Sequence, residues 1–278
     1  MDDVFIGSEA LANRVLTRGQ LRWNYRALYP DVYIPAGTAP SLLQRAVGAW
    51  LWSGRRAVVA GLAAAALHGA RWIDESIDVE LIWRNARPPA GIIVRNSRMQ
   101  PDEIVQISGL PMTTAERTAF DLARHCPRNA AVPRLDALAS TTGITALDVQ
   151  PLVDRYRETR HWWRAVDALD LMDGGSQSPG ESMVRLALID AGFPAPRTRF
   201  TVTDGHATAT IAMGFEAPMV AVEFGAVIPD FVVRTGWRMI RAADSGNPGI
   251  IVCLVRMAVI ERGYPLWTLR RLAHARLT

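Results

Sequence analysis

The polar stretch Met172-Asp173-Gly174-Gly175-Ser176-Gln177-Ser178-Pro179-Gly180 constrains the fold most, because the apolar pattern changes across it. Glycine and serine at this density interrupt any helix or strand that runs into them, so the segments on either side must build separate cores. Before the stretch the apolar spacing is mostly helical with short strands, and after it the order is βαβ-like. The division assigns 1–172 to one domain and 178–278 to another. The expected class is α/β, in the α+β sense. With 49% hydrophobic residues in a chain of 278, each half has apolar side chains enough for a core.

Charge is the second constraint. Lysine is absent, so all 31 basic residues are arginine. That excludes a phosphate-loop lysine, a Schiff-base lysine and a lysine general base. The arginines are unevenly spread: Arg14, Arg18, Arg22, Arg26, Arg45, Arg55 and Arg56 stand against the single acid Asp31, a local excess of +6 in a chain whose total is +4. An excess of this kind is the footprint of a segment that meets phosphates, although solvated surface arginines produce the same count. Local pattern favours the first reading. Thr17-Arg18-Gly19-Gln20 has the form of a capping box that opens a helix at Thr17, with Arg18 and Arg22 one turn apart. Tyr25 to Pro35 then alternates aromatic and β-branched residues about the turn signal Pro30-Asp31, which predicts a hairpin. Helix followed by basic hairpin is the tail of a winged helix, here a remnant, since only sixteen residues precede Thr17. Arg14, Arg18, Arg22, Arg26, Arg55 and Arg56 are the candidate DNA-contacting residues, and double-stranded DNA is the expected partner.

The rest of the first half reads as packing. Ser41–Ser53 and Val58–His68 predict two antiparallel helices, the second containing the longest apolar run, which is too short to span a bilayer. His68 reads as a helix C-terminal cap. Strands are expected at Val79–Ile82 and Gly91–Arg95 around Arg87-Pro88-Pro89, with a third within Gln100–Ile107. Thr113 and Glu116 form a second capping box, and Arg117 with Asp121 reads as an i,i+4 pair on an amphipathic helix. Further helices follow between Asn129 and Leu171, and His161-Trp162-Trp163 reads as helix packing.

After the polar stretch the pattern predicts a helix from Pro179 to Ala191, strands near Thr198–Thr203, Ala207–Met213, Met219–Phe224 and Gly236–Ala242, and a helix from Pro248 to Arg262. Cys126 and Cys253 lie 127 positions apart, and MDDVFIGSEA has no secretory pattern. These read as a reduced, cytoplasmic protein with no membrane segment.

Several runs in the second half, Ser178-Pro179-Gly180-Glu181-Ser182, Arg185 to Pro194, Met213-Gly214-Phe215, Met219 to Phe224 and Gly236-Trp237-Arg238, resemble actinobacterial proteins that end in a domain related to very-short-patch repair endonucleases. Leu16 to Leu21, Asp31-Val32-Tyr33, Leu67-His68-Gly69 and Leu110 to Asp121 resemble the AbiEi-type antitoxin and regulator half of the same proteins. The resemblance implies a PD-(D/E)XK nuclease core, whose carboxylates hold a divalent metal such as magnesium. It places them at Glu181 on the helix and Glu223 on a strand, and it puts the remaining aspartate position on Ala212, which cannot ligate. Only twelve residues separate Glu223 from Gly236, less than a comfortable parallel crossover, and the next histidine is His274. Glu181 also satisfies a capping box with Ser178. Glu223, on an apolar strand, needs a partner, for which Arg185, Arg234 and Arg241 are candidates, while Asp230 is a poor replacement ligand.

Three functions compete. The first is a DNA-binding or antitoxin-like regulator with a vestigial nuclease domain and no cofactor. The second is a metal-dependent endonuclease using Glu181 and Glu223. The third is a protein-binding antitoxin that masks a toxin partner.

Overall fold

The computed structural model describes residues 4–84, 87–225, 228–242 and 247–265; His274 lies outside them. The chain is of the α+β class and separates into two compact units, and the cut differs from a single division at 172–178. Residues 1–126 and 146–169 form the first unit, and 127–145 with 170–278 form the second.

The first unit opens with β1 (Phe5–Ile6), α1 (Gly7–Ala12), α2 (Arg18–Asn24), β2 (Tyr25–Tyr29) and β3 (Val32–Pro35). The capping box at Thr17 is present as expected: its hydroxyl accepts from the Gln20 N–H, while the Gln20 side chain accepts from the Thr17 N–H. β2 and β3 form the expected hairpin, and β1 adds to β3 to give the order β1-β3-β2. The arrangement is thus strand, two short helices, and a hairpin that returns beside the first strand.

α3 (Leu42–Trp52) follows and packs on this hairpin. The apolar run expected as one long helix is instead β4 (Val58–Ala60) joined to α4 (Gly61–Leu67). The reason is local. Val58 and Val59 suit a strand, and Gly61 at φ +59° turns the backbone in a conformation that side-chain-bearing residues avoid. α4 therefore packs mainly on α5 and β5 rather than pairing with α3. β5 (Val79–Ile82) and β6 (Ile92–Arg95) run parallel, not as a hairpin, and β7 (Ile104–Ile107) pairs antiparallel with β8 (Leu110–Thr113). Their mixed sheet has the order β6-β5-β4-β8-β7. α5 (Ala115–His125) is capped by Thr114, whose hydroxyl accepts from the Arg117 N–H, one residue later than the box read from the sequence.

α6 (Arg128–Thr142) belongs to the second unit, where it packs against α9, and α7 (Ala146–Arg155) and α8 (Trp162–Leu169) return to the first, where they pack on α5. α8 buries Ala165, Ala168 and Leu169 and leaves Trp163 51% exposed, so only part of the aromatic cluster is packing.

The second unit continues with α9 (Pro179–Asp190), β9 (Arg197–Thr203), β10 (Thr208–Phe215), β11 (Val220–Glu223), α10 (Asp230–Arg234), β12 (Arg238–Arg241) and α11 (Pro248–Glu261). The sheet order is β12-β11-β10-β9, antiparallel except for the parallel pair of β11 and β12. The short gap after Glu223 does make a parallel crossover, because α10 has only five residues. Val184 and Leu188 of α9 and Ile251 and Val255 of α11 cover one face of the sheet with Met213, Val222 and Ile240. Phe231 and Val232 of α10 cover the other with Phe200, Ile211 and Ala221. Asp136 of α6 anchors this helix to α9, accepting from Ser182 Oγ at 2.6 Å and from Arg185 at 2.8 Å.

Candidate functional site

The N-terminal basic segment is laid open. In α2 only Leu21 is buried, while Arg18, Arg22 and Trp23 face solvent and Trp23 is 78% exposed. Arg14, at φ +57° in the turn between α1 and α2, and Val15 beside it are exposed too. The Arg22 guanidinium lies over the Trp23 ring at 5.8 Å. Among the described residues no carboxylate pairs with Arg14, Arg18 or Arg22. Arg26, on β2, is exposed and donates to the Thr38 carbonyl at 2.7 Å.

The structure does not gather all six candidate arginines into this face. Arg55 makes a two-pronged ion pair with Glu9 of α1 at 2.6 and 2.7 Å, which holds the Glu9 carboxyl below the ordinary carboxylate range. Arg56 donates to the Ser53 carbonyl at 3.2 Å and lies over the Trp83 ring at 5.2 Å. These two guanidiniums have local work, whereas Arg14, Arg18 and Arg22 present theirs outward.

The carboxylate pair of the second unit is internally satisfied. Glu181, 7% exposed, accepts from the Gln177 N–H at 2.8 Å and from Ser178 Oγ, while Ser178 Oγ accepts from the Glu181 N–H. Ser178 thus caps the helix as the sequence suggests, but the reciprocal half of a capping box differs, because Glu181 takes the Gln177 N–H and the Ser178 hydroxyl in place of the Ser178 N–H. Burial, and then the nearby charge of Glu223, push the Glu181 carboxyl up from its ordinary value. Glu223 takes no arginine partner among the described residues. Its carboxylate instead accepts from the Ala212 N–H at 3.1 Å and from the Phe224 N–H at 3.0 Å. Arg185, one of the three arginines considered for it, is committed to Asp136. At Ala212 the side chains of β10 change faces: Ile211 packs on one side of the sheet and Met213 on the other, and Arg199 on the neighbouring strand has φ +45°. Asp230 is the exposed first residue of α10. Among the described residues no group of three or more histidine, cysteine, aspartate or glutamate side chains converges as a metal-holding set.

Sequence reasoning missed a buried ionic network in the first unit. The Arg117–Asp121 pair, expected on an amphipathic surface, sits in the interior with Arg117 1% exposed. Arg117 also bonds Glu103, whose carboxylate accepts from Tyr156 Oη at 2.7 Å and from Arg155 at 2.6 Å. Burial and the bond to Glu103 push the Tyr156 phenol up to about 12. Tyr156 lies 39 residues beyond Arg117, so no local spacing announces the contact. His68, as expected, ends a helix, with Nε2 against the Thr113 carbonyl at 2.8 Å.

No family model matches this chain. It is 28% identical over 176 residues to two curated proteins of Mycobacterium tuberculosis, "Uncharacterized protein Rv2248" of strain ATCC 25618 / H37Rv and "Uncharacterized protein MT2308" of strain CDC 1551 / Oshkosh. The match covers 62% of this chain and 62% of each relative. Among the described residues no helix is long and apolar enough to cross a membrane.

Proposed function

We propose that the chain is a DNA-binding regulator that contacts duplex DNA through α2 and the β2–β3 hairpin. The observation that supports this most is the exposure of α2: a helix held by Leu21 alone presents Arg18, Arg22 and Trp23 outward, beside Arg14, with no carboxylate partner described for these arginines. A strand, two helices and a hairpin paired back on the first strand reproduce the later part of a winged helix, in which the second helix enters the major groove and the wing meets the backbone. Arg26, exposed on the hairpin, would supply a wing contact in this reading. Arginine suits this role because its planar fork matches phosphate and guanine geometry.

The second unit, in this reading, works without a metal centre at Glu181 and Glu223. Both carboxylates accept backbone N–H groups, and the position that the nuclease resemblance gives to an aspartate is Ala212, whose own N–H occupies Glu223.

Fluorescence anisotropy with labelled duplex DNA across a salt series tests the proposal. Three to four phosphate contacts correspond to a log–log salt slope of about −3. Arg18→Ala with Arg22→Ala should weaken binding at least tenfold and flatten the slope by about 2. Absent or salt-insensitive binding sinks the DNA reading. Plasmid nicking in magnesium or manganese that disappears in Glu223→Gln would instead establish the nuclease.

A further inference from the structure

A second cationic feature lies in the first unit on α5 and α8, separate from the α2 face. The C-terminal end of α5, the start of α8 and the segment after β6 enclose a cleft of about 450 Å³. Arg95, Arg124, Arg160 and Arg164 line it with His125 and His161, and no carboxylate is among its lining residues. It shares Ser97, Arg124 and Arg160 with a neighbouring cleft of about 870 Å³, whose lining adds Arg98 and Tyr156 but also the carboxylates Asp154 and Glu158, so the anionic part of a ligand belongs in the first cleft. Each cleft by itself is of the size that takes a small organic ligand.

The lining is partly built and partly waiting. Arg124, 7% exposed, is fixed by Asp121 at 2.9 Å and Thr159 Oγ1 at 3.2 Å, yet its Nε is buried with no hydrogen-bond partner. A buried donor without a partner is destabilising unless a ligand supplies the acceptor. Arg160 and Arg164 are exposed and have no carboxylate partner among the described residues; Arg164 lies over the Trp163 ring at 5.2 Å. Burial first, and then the charges of Arg124, Arg95 and Arg117, push the His125 imidazole down to about 3.

We propose that this cleft binds the phosphate groups of a small phosphorylated ligand of nucleotide size, with the remainder of the ligand in the adjoining cleft. Guanidinium forks pair with phosphate oxygens in two-pronged fashion, and an anion supplies the counter-charge for Arg160 and Arg164, whereas Arg95 and Arg124 are already held by Glu80 and Asp121. The site does not depend on the DNA reading, because it shares no residue with α2 or the hairpin.

Calorimetric titration of the full chain with pyrophosphate and with ADP, followed in parallel by the histidine ring signals in NMR, tests it. One-to-one binding with Kd below about 1 mM is expected, with His125 and His161 as the shifted rings. Arg160→Gln with Arg164→Gln, both at exposed positions that leave the fold intact, should weaken binding about tenfold or more. Arg18→Ala with Arg22→Ala should leave it unchanged. Three results overturn the proposal: no heat and no ring shifts with either probe, equal affinity in the Arg160/Arg164 variant, or binding at these rings only by a DNA oligonucleotide.

Discussion

Arg117 is 1% exposed between Glu103 and Asp121, with its guanidinium 4.9 Å from the Tyr156 ring. Removing it leaves two buried carboxylates short of a cation, which typically costs about 3–5 kcal/mol. Arg117→Met should therefore lower the urea midpoint of the first unit strongly, whereas Arg128→Gln, which breaks the exposed Asp190 pair, should cost under about 1 kcal/mol. Equal losses in the two variants would show that burial does not amplify the Arg117 contacts. The i,i+4 spacing of Arg117 and Asp121 was legible in the sequence, but its burial was not, because Glu103 and Tyr156 come from elements distant along the chain. Glu223 teaches the same lesson. Its need for a partner was legible on an apolar strand, but the partners are the backbone N–H groups of Ala212 and Phe224 rather than arginine.

At the scale of elements, local chemistry marked where helices begin. Thr17 and Ser178 cap helices as their sequences announce, and Thr114 takes the role expected of Thr113. Val58–His68 shows where such reading stops: a buried strand followed by a buried alanine helix is apolar throughout, and periodicity does not separate them. Gly61 makes the separation. It sits at φ +59°, and a Cβ there would lie 2.8 Å from the Glu80 carboxyl carbon, which belongs to the Glu80–Arg95 ion pair. Gly61→Ala is expected to cost about 2 kcal/mol and to lower Tm by roughly 4–8 °C in a circular-dichroism melt. Gly37→Ala, also at positive φ but with nothing within 4 Å, should cost less. Similar losses at both positions would assign the whole effect to the backbone. The parallel pairing of β5 and β6 was equally hidden, since a strand's own residues do not name its neighbour or direction.

For the whole molecule, the absence of lysine makes a chemical prediction about the proposed DNA contact. Phenylglyoxal, which modifies arginine, should abolish duplex binding, while acylation of amines finds no lysine and should leave it intact. Loss of binding on acylation, or survival after arginine modification, would contradict an arginine interface. The polar stretch at Met172–Gly180 was read as the boundary between two domains, whereas the chain divides into two units of which the second holds the stretch itself and also takes α6, whose Asp136 bonds Ser182 and Arg185 of α9. By itself the sequence determined the helix caps at Thr17 and Ser178, the N-terminal hairpin and the arginine excess, all of which depend on residue identity and on neighbours within one or two turns. Tertiary structure alone decided which arginines remain outward, that Arg117 is interior, how Glu181 and Glu223 are satisfied, and that four arginines converge on one cleft. Those outcomes depend on which distant backbone and side-chain groups reach each charge first, since a buried charge takes whatever donor or acceptor the packing brings within about 3 Å.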